Sequence, residues 1–121
     1  MKKILIVEDE KILAEMYKDK FEMAGFEVIL SFDCQDGLEV AKKEKPDLIL
    51  LDILLPTENG ISFLKGWKNN PEIYSIPVVA FSNYDDPTIK KEALDLGVKE
   101  YLLKTNYTPQ QIVEKVKEYL K

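Results

Sequence analysis

Residues 48–60 read "LILLDILLPTENG". From Leu48 to Leu55 every residue is apolar except Asp52, and Pro56 and Gly60 then break the run. A short, continuous apolar segment bounded by turn residues predicts a strand covered on both faces, the kind found in parallel sheets. An ionised aspartate among aliphatic neighbours is unfavourable unless a partner, a metal or a chain reversal relieves it. Both the sheet type and the site therefore turn on the surroundings of Asp52.

Four further apolar runs flank this one: "ILIV" at 4–7, "VIL" at 28–30, "VVAF" at 78–81 and "YLL" at 101–103. Between them lie segments with helical spacing. Leu13, Met16, Tyr17, Phe21 and Ala24 recur at three- and four-residue steps, and Gly25 supplies a stop. In "TPQQIVEKVKEYLK", Thr108 is placed as N-cap, Pro109 at the first helical position and Gln111 where a capping box needs it. Asp86 before Pro87, with Gly97 downstream, predicts a helix at about 87–96. Segments near 34–44 and 59–69 complete the set. Strand and helix alternate, which predicts an α/β fold: a doubly wound, five-stranded parallel sheet with helices on both faces.

Composition narrows the function. The chain has 121 residues, the size of one domain, and a net charge of −5 with no basic block, which argues against nucleic-acid binding by this chain. No apolar run approaches the roughly 20 residues of a membrane helix, and "MKK" leads straight into a strand-like segment, so a cytoplasmic location is expected. There is one cysteine, Cys34, and no histidine. Cys/His zinc sites and Ser/His/Asp triads are thereby excluded.

The polar residues cluster at the ends of the apolar runs. Glu8 and Asp9 come directly after the first, Asp52 ends the third, Ser82 comes after the fourth and Lys104 after the fifth. Open parallel sheets bind ligands outside the carboxyl ends of their strands. Taken singly, Glu8 and Asp9 suit a helix N-terminus, Ser82 a turn, and Lys104 an exposed surface. Together they deliver carboxylates, a hydroxyl and an amine to one edge. Clustered carboxylates create demand for a divalent cation such as Mg²⁺, and a lysine and hydroxyl opposite can hold phosphoryl oxygens, with an aspartate as covalent acceptor.

With "ILIVEDE", "LILLDILLPTENG", "VVAFS" and "EYLLK" in this order and spacing, the sequence resembles the receiver domains of two-component response regulators (CheY-like) over essentially its whole length. The resemblance implies a flavodoxin-like (βα)5 fold with strand order 2-1-3-4-5. With the last helix expected to end near Lys121, a single receiver domain over 1–121 with no output domain in this chain is expected, either as a stand-alone regulator or as a receiver from a longer protein. The resemblance makes Asp52 the phosphorylated residue. Asp9, Asp52 and the backbone carbonyl of Leu54 would bind Mg²⁺ or Mn²⁺, with Glu8 holding the ion through water. Ser82 would be the switch hydroxyl, Lys104 a phosphoryl partner and Tyr101 the aromatic that turns inward with Ser82. The implied partners are a sensor histidine kinase or phosphotransfer protein and a downstream protein, with no membrane. The implied state is a monomer that could dimerise on phosphorylation. Such a chain is a phosphoryl acceptor that assists its own phosphorylation and dephosphorylation, not an enzyme, and its signal is a changed surface around the fourth helix, fifth strand and last helix.

One position departs from the family. Proline on a cis bond usually comes after the lysine, but here Thr105 follows Lys104. Because a cis bond before a non-proline residue costs about 3–4 kcal/mol, a trans bond is expected. Ile12, one residue off the first helix's apolar stripe, is a candidate docking contact or a half-buried side chain. Three alternatives fit less well. A haloacid-dehalogenase-type phosphatase needs a second aspartate where Leu54 stands, a flavodoxin-like module needs a phosphate loop where "EDE" stands, and a receiver-like scaffold that is never phosphorylated would not need the full polar set.

Overall fold

The computed structural model describes residues 1–55 and 58–120. Pro56 and Thr57, within the predicted turn after Asp52, lie outside the described residues. The five apolar runs form β1 (Lys3–Val7), β2 (Glu27–Ser31), β3 (Leu48–Asp52), β4 (Val78–Ser82) and β5 (Glu100–Leu103). They pair in parallel in the order β2-β1-β3-β4-β5, as the resemblance implies. The helices are α1 (Lys11–Met23), α2 (Cys34–Glu44), α3 (Gly60–Lys68), α4 (Pro87–Leu96) and α5 (Pro109–Glu118). Among the described residues, no helix is long and apolar enough to cross a membrane.

The start and stop signals act as predicted. Asp86 Oδ1 accepts from the Thr88 and Ile89 amides, and Thr108 and Gln111 form a reciprocal capping box. Gly97 closes α4 at φ +115°, a conformation that favours glycine. Two features have no signal in the sequence: a two-residue antiparallel pairing of Leu54–Leu55 with Glu58–Asn59, and a 3₁₀ turn over Lys104–Asn106. No cis peptide occurs among the described residues, so the Lys104–Thr105 bond is trans as expected.

The continuous apolar runs are explained by two cores, one on each face of the sheet. Ile4, Ile6, Leu48, Leu50, Val79, Phe81 and Leu102 pack against α1 and α5 through Tyr17, Phe21, Ile112, Val113 and Val116. The alternate residues Leu5, Val7, Ile49, Leu51, Ala80 and Tyr101 face α2, α3 and α4, where Ala41, Phe63, Leu64, Trp67 and Ala93 meet them. Period-two alternation thus assigns each strand residue to one core or the other. Continued along the rows that end in Ile6, Leu50 and Leu102, it carries Glu8, Asp52 and Lys104 to the same side.

Candidate functional site

Each polar residue of the site is delivered by the end of a strand. Asp52 closes β3, Glu8 and Asp9 follow β1, and Lys104 follows β5. The amide of Glu8 donates to the Ser31 carbonyl (3.0 Å), which extends the β1–β2 ladder one residue and fixes where Glu8 leaves the sheet. Behind Asp52, Gly60 lies so close that a Cβ there would sit 2.8 Å from the Ile53 Cα and 3.1 Å from the Asp52 carbonyl oxygen. The amide of Gly60 donates to the Ile53 carbonyl (2.6 Å), so α3 begins directly against the end of β3.

Carboxylate oxygens of Glu8, Asp9 and Asp52 lie within 4.8 Å of one another. Glu8 is fully buried and Asp52 is 4% exposed, while Asp9 is half-buried. Lys104 Nζ donates to Glu8 Oε2 (2.9 Å) and Asp52 Oδ2 (3.0 Å), and its ammonium lies 4.5 Å from the centroid of the Phe81 ring. Burial, reinforced by the Asp52 carboxylate beside it, pushes the Glu8 pKa up to about 8 despite the opposing pull of Lys104. One ammonium does not compensate the clustered acids. The donor set therefore fits a hard dication with oxygen ligands, Mg²⁺ among them.

By the same alternation Ser82 and Tyr101 fall on the other core's side. Ser82 is fully buried at the end of β4, and its Oγ accepts the Tyr84 amide (3.0 Å). The Tyr101 hydroxyl donates to the Tyr84 carbonyl (3.3 Å). Expected from the resemblance as an aromatic that turns inward, Tyr101 is already only 9% exposed here. Burial raises its phenol pKa against a smaller lowering by the Ser82 hydroxyl beside it. Tyr84, by contrast, is an exposed aromatic on the same loop. The main chain of Leu54 pairs with Asn59 just beyond Asp52. Ile12 is not half-buried but 88% exposed.

The model of the response regulator receiver domain family matches residues 4–117. The chain belongs to that family. This receiver domain is 31% identical to the polar-differentiation response regulator DivK of Brucella anthropi, covering 98% of this chain and 96% of DivK. It is 32% identical over 120 residues to the alkaline phosphatase synthesis transcriptional regulatory protein PhoP of Bacillus subtilis, covering 99% of this chain but 49% of PhoP. The receiver thus spans about half of PhoP and nearly all of DivK. Among solved structures, a CheY-like receiver domain protein from Methanospirillum hungatei matches with a TM-score of 0.88 at 30% identity, over 99% of this chain and 94% of that one. Membership makes this a signalling domain of two-component response regulators.

Sequence reasoning misses Phe81, Tyr17 and Gly60 around the receiver's acidic edge. Phe81 is the register partner of Asp52 across β3 and β4, a pairing that emerges only once the strands are aligned. Tyr17 has the spacing of a core position of α1, which it is, but its ring also meets Phe81 at a centroid distance of 5.4 Å and 75°. Burial and the nearby charges of Glu8 and Asp52 push its phenol pKa up to about 12, which marks it as a neighbour of the acids.

Proposed function

We propose that this receiver domain is a phosphorylation switch in which Asp52 accepts a phosphoryl group from the phosphohistidine of a sensor kinase or phosphotransfer protein. The observation that carries the reading is the meeting of Glu8, Asp9, Asp52 and Lys104, from three strand ends, in one cluster that is buried except at Asp9. An Asp52 carboxylate oxygen attacks phosphorus in line. The phosphorus–nitrogen bond breaks, the electron pair leaves with the imidazole, and Asp52 becomes an acyl phosphate. Asp9, Asp52 and the Leu54 carbonyl would hold Mg²⁺ or Mn²⁺, with Glu8 contributing through water. When bound, the ion would neutralise charge on the phosphoryl oxygens.

Lys104, already 3.0 Å from Asp52 Oδ2, has only to move its ammonium from that oxygen to a phosphoryl oxygen. Ser82 keeps a hydroxyl proton to donate while its oxygen accepts the Tyr84 amide. Turning that proton to the phosphoryl group would alter the contacts that Ser82 and Tyr101 share with Tyr84, and the surface of α4, β5 and α5 would be the output. A shift of a few kcal/mol is enough to reverse such an equilibrium. Incubation with Mg²⁺ and acetyl phosphate, with intact mass as the readout, tests the reading. One added phosphoryl group is expected on the parent chain and none on Asp52→Asn. Equal labelling of the two would sink the assignment of Asp52.

A further inference from the structure

We propose that Phe81, braced by Tyr17, is a positioning residue that holds the Lys104 ammonium in place for phosphoryl transfer, an inference that rests on the phosphoryl-acceptor reading of Asp52. The aromatic ring is not merely core filling at this position. Asp52 and Phe81 are register partners on adjacent strands, and both belong to the rows that face α1 and α5. To reach Asp52 from the end of β5, the Lys104 side chain must cross β4, and Phe81 is the residue it crosses. Its Nζ lies 4.5 Å from the ring centroid, with Glu8 Oε2 at 2.9 Å and Asp52 Oδ2 at 3.0 Å. The side chain is only 6% exposed, so little water competes for the ammonium.

A desolvated ammonium near an aromatic ring is drawn to the negative charge of its face. The two carboxylates cannot by themselves fix Lys104 during the reaction. As Asp52 becomes an acyl phosphate its charge passes to the phosphoryl oxygens, so the anionic contact of Lys104 changes in the very step that Lys104 must assist. The ring is a partner that does not change. It supplies a surface along which the ammonium can pass from Asp52 to a phosphoryl oxygen without moving into solvent. The edge-on contact with Tyr17 keeps the ring from turning away, as aromatic pairs of this geometry are mutually attractive. The chain also needs such an anchor. Lys104 opens a 3₁₀ turn and is followed by Thr105, so no prolyl ring stiffens its backbone.

The test changes the charge on the ring face while holding its shape. Phenylalanine with one, two and three ring fluorines is incorporated at position 81 of the full chain, and labelling by acetyl phosphate at saturating Mg²⁺ is timed by intact mass. The expected result is a stepwise fall in rate with each fluorine, about tenfold across the series, at an unchanged melting temperature. Phe81→Leu should be slowed at least as far. A merely structural role predicts rates that follow stability and ignore fluorination. A flat series on a chain that labels normally at Asp52 overturns this proposal alone. A chain that takes no label at all, or one whose Asp52→Asn form labels equally, overturns the phosphoryl-acceptor reading and this proposal with it.

Discussion

At Asp52 the difficulty raised by the sequence, a charge among aliphatic residues, is met by residues distant in the chain. Lys104 lies 52 positions on, yet it contacts both Asp52 and Glu8. A buried ion pair is weak evidence of net stabilisation, but removing one partner strands the other. Lys104→Met takes the ammonium away from the buried Asp52 carboxylate and from a Glu8 that holds its proton up to pH about 8, and we expect metal-free stability to fall by about 3 kcal/mol in urea unfolding. Lys104 Nζ holds one oxygen of Glu8 and one of Asp52, and both acids would serve a dication, so Mg²⁺ should bind this variant more tightly, roughly tenfold, and recover much of the lost stability. Unchanged Mg²⁺ affinity by titration calorimetry would mean that lysine and cation do not compete for those oxygens.

At the level of elements, local chemistry decides most boundaries, and one boundary goes against it. α4 ends at Gly97, and Gly25 takes φ +95° just after α1, both positions where glycine is favoured. α2 instead ends on Lys45 at φ +44° and ψ +63°, a left-handed conformation that disfavours a side chain. Nothing in the sequence around Lys45 signals that stop except Pro46, which prevents the helix from continuing easily. Lys45→Gly removes the steric penalty and adds chain entropy to the unfolded state. The balance should favour the folded state by about 0.5–1 kcal/mol, seen as a higher urea midpoint at an unchanged slope. A lower midpoint would show that Lys45 makes interactions worth more than its backbone strain.

Across the whole molecule, nearest neighbours and periodicity determine which features are legible in the sequence. The five runs, the caps at Asp86 and Thr108, and the placing of Glu8, Asp9, Asp52, Ser82 and Lys104 at strand ends all come from one-dimensional patterns. The ring of Phe81 beside Lys104, the close approach of Gly60 and the Tyr84 carbonyl that receives the Tyr101 hydroxyl do not, because each depends on the register or packing of separate elements. The raised pKa of Glu8 belongs to this second group, and it adds a pH-dependent part to the stability of the whole molecule. Its pKa is raised from 4.5 to about 8 in the folded, metal-free protein, so the folded state binds a proton that the unfolded state has released. That contribution is fully present below pH about 4.5 and is lost as pH rises through about 8, at up to roughly 1.4 kcal/mol per pH unit. The chain has no histidine, so few other side chains titrate in this interval. In thermal melts with a chelator, the melting temperature should therefore fall between pH 5 and 8, and Glu8→Gln should flatten the slope. Added Mg²⁺ must displace the proton, so its stabilising effect should be small near pH 5 and large near pH 8. A parent chain whose slope matches that of Glu8→Gln would show that the acidic edge does not hold the proton, and that the cation demand of the site arises from Asp9 and Asp52 without it.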